Sequence, residues 1–594
     1  MPYGRRSMRI TTTSDGDAVT ADLVRAASLA DIRRLGSLVT HVDGYTLALF
    51  ADGEGIFAVE NRCPHMGFPL HRGTVKDGIL TCHWHHARFD LESGGTFDQW
   101  ADDARVFPVE IRDGEIWVDV GPRHDAVAHQ RKRLRDGLER NLNLVLAKAV
   151  VALLDAGVDP AEPYRIGLDF GVRYRRGGWG QGLTMLTCFV NMLPALEPED
   201  RKAALYHGLS AVAVDTVGAA PRFQIDPLPD EADLASLKRW FRQFVEVRDA
   251  DGAERCIVSA VRAGGSSAQL ADLLFAAATD HRYLRIGHVL DFTNKALEGL
   301  DAAGWEHAEP VLASLATEYA QADRREEANE WRHPVDLVAI LEGAFDELPR
   351  VLVGRRERRG PWGGRDELLP VLLGEDAQAI ADALLAALRE GANEVELAAA
   401  VAYAAALRIA RFPTSNEFSD WDTALHTFTF ANAVQQGLRR APSVELVRGV
   451  FDAAMNVYLD RFLNVPAARL PDGDPTGDPD ALLEELPVVL DRQQQVNEAG
   501  QLVASYLAAG GDATQLLAAL GATLLREDRD FHTIQMVEAA FRQFADLRST
   551  SAGAHVLVAA ARYLAAHAPT VRAQRQTLEI ARRLQRGDHL YEEA

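Results

Sequence analysis

Two short motifs constrain this chain most: Cys63-Pro64-His65-Met66-Gly67 and Cys82-His83-Trp84-His85-His86. Each holds one cysteine and one ligand-spaced histidine, as Cys63-x-His65 and Cys82-x2-His85, with 16 residues between the pairs. Thiolates bind iron or zinc, and neutral imidazoles can replace two of four thiolates. A shared metal centre therefore has to bring two separate loops together. A Cys2His2 zinc site is one solution. Zinc fingers usually place both cysteines in one knuckle and both histidines in the other, whereas each knuckle here is mixed. That arrangement suits a two-iron centre with the cysteines on one iron and the histidines on the other.

The residues around these motifs read as short strands and turns from about Ala27 to Pro122. Tyr45–Phe50 and Ile56–Glu60 are predicted strands flanking the turn Ala51–Gly55. Val106–Ile111 and Ile116–Val120 flank Arg112-Asp113-Gly114-Glu115, a hairpin signal. With Gly67 after the first knuckle, Ala87-Arg88-Phe89-Asp90 after the second, and Gly94-Gly95-Thr96 beyond, residues 27–122 resemble a Rieske [2Fe-2S] domain of the ferredoxin and oxygenase type. The resemblance implies a small all-β domain whose cluster ligands are Cys63, His65, Cys82 and His85. It implies that the reducible iron is the one held by His65 and His85. Imidazole ligands make the oxidised cluster less negative, so the potential lies above that of plant-type ferredoxins.

Departures from the family refine that expectation. Respiratory Rieske proteins tether their cluster loops with a disulfide, and Phe68 and Trp84 stand in the corresponding places. Ala87 and Phe89 replace hydroxyl residues that donate hydrogen bonds to the cluster. Fewer donors stabilise the added electron less, which places the potential in the lower part of the family's range. His86 replaces the usual Gly, and His83 a common Pro; each is read as a proton relay or as a solvated loop residue.

After Pro122 the pattern changes. Stretches such as Arg131–Leu153 and Glu375–Glu390 carry Ala, Leu, Arg and Glu at helical spacing, and residues 123–594 read as one large all-α domain. Residues 1–26 read as a disordered arm. The helical part holds degenerate internal repeats around 255–300, 380–440 and 500–545. In each, an apolar helix ends in a Gly-rich break, and Gln269, Glu396 or Gln515 opens the next helix. A helix with one histidine follows: His288, His426 and His532. Past the first two the agreement continues, as His288-x3-Phe292-x-Asn294 and His426-x3-Phe430-x-Asn432; Met536 and Glu538 hold the matching places in the third.

The mononuclear-iron segment of ring-hydroxylating Rieske oxygenases, Asp-x2-His-x4-His, is not found; His124 and His129 have the His-x4-His spacing but no preceding Asp at the right spacing. The equivalent histidines His288, His426 and His532, with His207 as a fourth member, are the candidate catalytic residues. Asp291, Asp422 and Asp528 lie within helical reach of them, and histidines with carboxylates on facing helices are how bundles build iron sites. The expectation is a second, non-haem iron in the helical domain; structural histidines with helix-capping aspartates are the alternative. The histidine-bearing apolar helices are similar to those of the questin-oxidase-like helical monooxygenases. Arg175-Arg176-Gly177-Gly178-Trp179-Gly180 recurs as Arg358-Arg359-Gly360-Pro361-Trp362-Gly363. Together with Arg173 this reads as a phosphate cradle or, more simply, as a solvated loop with its Trp packed on the surface.

Composition bounds the rest. A chain of 594 residues exceeds one compact core, since domains run roughly 100 to 200 residues. A formal charge of −23 disfavours nucleic acid and anionic membrane surfaces as partners. Four cysteines exclude a disulfide-stapled scaffold, and no run of about 18 apolar residues marks a membrane span. The expectation is a cytoplasmic oxidoreductase, an oxidase or monooxygenase, fed by a reductase or ferredoxin and acting on a small organic molecule. A homo-oligomer is compatible with it. The competing expectation is an electron carrier or redox sensor whose helical part is a docking scaffold.

Overall fold

The computed structural model describes residues 23–121, 126–230, 232–354, 362–548, 550–588 and 590. Most of the predicted arm, His124, and the Arg358-Arg359-Gly360 loop lie outside the described residues. The chain forms two compact units. One comprises the described residues up to His129 together with Arg583 and those after it, and the other runs from Gln130 to Arg582.

In the first unit ten strands form three antiparallel sheets. They are β1 (Leu23–Ser28), β2 (Ser37–Val42), β3 (Tyr45–Asp52), β4 (Gly55–Glu60), β5 (Thr74–Lys76), β6 (Ile79–Thr81), β7 (Arg88–Asp90), β8 (Val106–Phe107), β9 (Val109–Arg112) and β10 (Glu115–Asp119). The sheet orders are β1-β10-β9, β2-β3-β4-β8 and β5-β6-β7. Three hairpins turn on the same dipeptide: Asp43-Gly44, Asp77-Gly78 and Asp113-Gly114 all have both residues at positive φ. Such turns match the twist of the flanking strands, and Asp-Gly adopts them at least cost. The predicted strand Val106–Ile111 is instead two strands parted at Pro108. Proline has no N–H for a ladder, so Val106 and Phe107 pair with β4 while Val109–Arg112 pair with β10.

The second unit is helical throughout its described residues. The predicted Arg131–Leu153 helix is two helices, Ala126–Arg140 and Asn143–Asp155, separated where Asn141 adopts a φ of 51°. The repeated Gln and Glu have a shared local cause. Ser266 with Gln269, and Asn393 with Glu396, form reciprocal capping boxes in which side chain and backbone satisfy each other's helix-end donors. In the third copy Asp512 caps the backbone of Thr514, and Gln515 accepts from Tyr506 Oη. Trp179 is not on the surface as expected: it is fully buried, with its indole N–H donated to Thr184 Oγ1.

Three helices that follow the repeats, His288–Ala303, Phe418–Arg440 and Phe531–Asp546, pack on one another in sequence. The helix Gln181–Met192 lies against the first and third. Their facing sides carry polar groups that are buried and paired. Lys295 Nζ lies 2.9 Å from Glu298 Oε2 and 2.6 Å from Glu538 Oε2. Asn191 donates to Glu298 and Glu538 at 2.7 and 2.9 Å. Gln535 donates to Asp291, and Gln543 to Asn432. These bonds fix the register of the helices that carry the three histidines.

Candidate functional site

In the β unit the first motif follows β4 and the second links β6 to β7. Cys63 N–H donates to Phe68 O, Gly67 N–H to Cys63 O, and Cys82 N–H to Ala87 O, at 2.7, 2.7 and 2.8 Å. Gly67 takes a φ of 82°, which a glycine adopts without strain. These tight loops aim backbone N–H groups at sulfur, from His65 and Met66 to Cys63 and from Trp84 and His85 to Cys82. The two buried thiols share a hydrogen bond that raises Cys63 and lowers Cys82. The His65 and His85 rings meet edge to face with centroids 4.9 Å apart, and His85 is exposed.

Two thiols in mutual contact, flanked by two imidazoles at this spacing and supplied with N–H donors, fit a two-iron, two-sulfide cluster. All four cysteines are free; Cys188 and Cys256 are buried and lie outside this set. Where the disulfide tether would sit, the Phe68 and Trp84 rings face each other at 6.0 Å between centroids. Ala87 and Phe89 are buried and apolar. His86 holds a φ of 62°, which is the reason glycine is usual there. His83 Nε2 lies 3.2 Å from Thr74 Oγ1.

In the helical unit, His288, His426 and His532 converge, with one ring nitrogen from each within 4.8 Å of the others. His426 Nε2 and His532 Nε2 are 3.1 Å apart. Burial, then the charge of His532, lowers His288 to about 3. Burial, then His288 and His532, lowers His426 to about 2. Both rings are therefore neutral and present lone pairs, the form that binds a metal. His288 opens its helix after a turn in which Tyr283, Arg285 and Ile286 all have positive φ, at 45°, 48° and 48°. A β-branched residue in that region is strained, and such strain gathers at sites that need a fixed geometry.

The predicted carboxylates diverge. Asp422 Oδ2 lies 3.5 Å from His532 Nδ1, and Asp422 accepts from Tyr563 Oη at 2.5 Å. Asp291 faces Gln535, and burial raises it to about 7. Asp528 instead accepts the backbone N–H of Ala573 and Gln574, a helix-capping role. His207 is not part of the triad. It packs between Phe189 and Tyr206, its Nε2 buried without a partner, and burial lowers it to about 3. Arg175 spends its donors on Gly178 O and Trp179 O and pairs with Asp215 at 3.4 Å, so the first Arg-Gly loop is structural.

His426 and His532 line a cavity of about 650 Å³ whose other walls include Tyr283, Ile286, Trp331, Leu337 and Tyr458. Sequence reading missed these walls, because they come from helices and turns far apart in the chain.

Residues 23–108 match the Rieske [2Fe-2S] domain family. The chain is 33% identical over 76 residues to the anthranilate 1,2-dioxygenase ferredoxin subunit of Burkholderia cepacia, covering 70% of that subunit and 13% of this chain. It is 38% identical over 75 residues to the vanillate O-demethylase oxygenase subunit of Pseudomonas sp. (strain ATCC 19151), covering 22% of that subunit and 12% of this chain. Among solved structures it is similar to the ferredoxin of carbazole 1,9a-dioxygenase from Nocardioides aromaticivorans IC177. That match has 26% identity and a TM-score of 0.16, over 16% of this chain and 96% of the other. The chain thus spans most of one ferredoxin subunit but about a fifth of the oxygenase subunit.

Proposed function

Since the chain belongs, through residues 23–108, to the Rieske [2Fe-2S] family, we propose that it is an oxidoreductase with two metal centres. Cys63 and Cys82 hold one iron of the cluster, and His65 and His85 the other. His288, His426 and His532 hold a further, non-haem iron at which a small organic molecule is oxidised or oxygenated. The observation that carries this reading is the convergence of three ring nitrogens within 4.8 Å on helices of repeated sequence. Electrons come from a reductase or ferredoxin, a reading in keeping with relatives named as ferredoxin and oxygenase subunits. No described helix is long and apolar enough to cross a membrane, and a reducing compartment suits the four free cysteines.

The residues have definable tasks. The cluster supplies single electrons when bound. Exposed His85 is the shortest route by which they leave it, while the thiols stay buried. His288, His426 and His532 would supply three imidazoles and so would leave a bound metal open positions for redox chemistry. Asp422 lies beside His532 Nδ1 and so favours the tautomer whose Nε2 is free to bind. The aromatic walls, with Trp331 and Tyr283 buried, hold an apolar substrate and exclude water.

Metal analysis of the anaerobically purified chain tests this directly. Wild type should carry the two cluster irons and one more. His426→Ala should lose only the extra iron and keep the Rieske spectrum, and His85→Ala should do the reverse. A wild-type chain holding cluster iron alone refutes the second centre and leaves the carrier or sensor reading.

A further inference from the structure

Beside the aromatic cavity lies a separate cleft of about 510 Å³ lined by Arg408, Arg411, Arg461, Asn464, Glu375 and Leu373. Arg461 and Phe462 line both spaces, so the cleft and the cavity adjoin at the segment Asp460–Asn464. Three guanidinium groups in one cleft are unusual in a chain of net charge −23. Among the described residues none of the three forms an ion pair with a carboxylate. Arg325, on the cavity side, pairs with Glu330 at 3.0 Å.

The three arginines are differently committed. Arg408 is buried and gives its donors to Val457 O, Asn464 Oδ1 and Leu373 O. It fixes the cleft floor and contributes charge. Burial, with Arg411 and Arg461 close by, lowers it to about 10, while Asp460 acts the other way. Arg461 is stacked on the Tyr458 and Phe462 rings at 3.7 and 3.9 Å, and gives one N–H to Tyr458 O. That stacking holds a planar donor fork in place before any ligand arrives. Phe462, one ring of that stack, is 68% exposed. Asn464 ties the frame together by donating to Arg408 O and Arg411 O at 3.0 and 3.1 Å. The cost of gathering like charges is offset when an anion binds, and guanidinium matches a carboxylate with paired bonds.

We propose that the Arg408–Arg411–Arg461 cleft is an oxyanion-binding subsite, and that its occupant is the carboxylate of the apolar molecule held in the adjoining cavity. The proposal rests on reading that cavity as the substrate site, and it assigns the substrate a class: an apolar, partly aromatic acid.

Calorimetric titration of the full-length protein with 2-naphthoate, 2-naphthamide and inorganic phosphate tests it. The acid should bind about tenfold more tightly than the amide, the ratio that corresponds to about 1.4 kcal/mol. Arg411→Gln, which touches only the cleft, should shrink that preference several-fold and leave amide affinity unchanged. Arg411→Gln with Arg461→Gln should abolish it. Equal binding of acid and amide overturns the proposal, as does binding of neither, or a preference unchanged in Arg411→Gln. Displacement of the acid by equimolar phosphate also overturns it, because the cleft would then be a free-phosphate site. Iron content of the same wild-type samples reports separately on the metal centre: an acid preference lost in Arg411→Gln, in protein that carries cluster iron alone, supports the cleft while refuting the extra iron.

Discussion

Lys295→Met probes the polar layer that joins the helices His288–Ala303, Phe531–Asp546 and Gln181–Met192. Lys295 and Glu538 are each 1% exposed, and Glu298 is 8% exposed. Burial pulls the ammonium down, but Glu298 and Glu538 outweigh it and hold it well above its usual value. Burial raises Glu298, but Lys295 and Arg542 together hold it below its usual range. Methionine fills much the same volume, so the main loss is electrostatic. Removing one partner of a buried pair strands the other charge, at a cost of about 3 to 5 kcal/mol. Arg542, 3.2 Å from Glu538 and 3.7 Å from Glu298, limits the cost to the lower part of that range. Urea unfolding followed by helical circular dichroism at pH 8 should show a loss of about 3 kcal/mol. In the variant the largest charge holding Glu298 below its usual range is gone, so burial dominates and raises it. Its neutral form is then preferred in the fold, so stability is retained at low pH and lost as pH rises. The deficit should therefore be smaller at pH 5 than at pH 8, and adding Glu538→Gln should recover part of it. Because the layer sets the register of His288 and His532, the extra iron should fall as well. A deficit below about 1 kcal/mol, or one independent of pH, would refute the reasoning.

Two further outcomes follow from the backbone and from burial. His86→Gly relieves a non-glycine residue at a φ of 62°; it should stabilise the β unit by about 1 kcal/mol in thermal melts and leave the cluster potential unchanged. His207 is lowered to about 3 by burial, so the unfolded state binds its proton first as pH falls through 6.5. Stability of the helical unit should then decline between pH 6.5 and 3, by up to about 5 kcal/mol from this group. His207→Leu should flatten that decline, and an unchanged slope would show that other groups carry it.

Much of the β unit was legible because its chemistry is written in residue types at short fixed spacing. Cys63, His65, Cys82 and His85 sit on loops whose geometry follows from local hydrogen bonds, and each Asp-Gly turn announces itself. Pro108 is legible too, and its missing N–H accounts for the division of the Val106–Arg112 segment between two sheets. In the helical unit, a shared sequence pattern singled out His288, His426 and His532, whose ring nitrogens come within 4.8 Å of one another. It did not distinguish His207, which shares the residue type but meets Phe189 and Tyr206 instead of the triad. Lys295 and Glu298 look like an ordinary exposed pair one turn apart, and only tertiary packing makes them buried. The arginine cleft was out of reach for the same reason: Arg408, Arg411 and Arg461 are joined by folding across two loops.

The Phe68–Trp84 contact has a consequence for how the first motif meets its surroundings. A covalent tether between the metal-binding loops would make their integrity depend on the local thiol–disulfide balance, and a reductant strong enough to charge the cluster could also cut it. Two aromatic rings 6.0 Å apart carry no such liability. The loops are held by dispersion and water exclusion, which no electron donor can reduce. The centre can therefore be cycled through its electron-accepting state by strong donors with this contact between its loops chemically untouched.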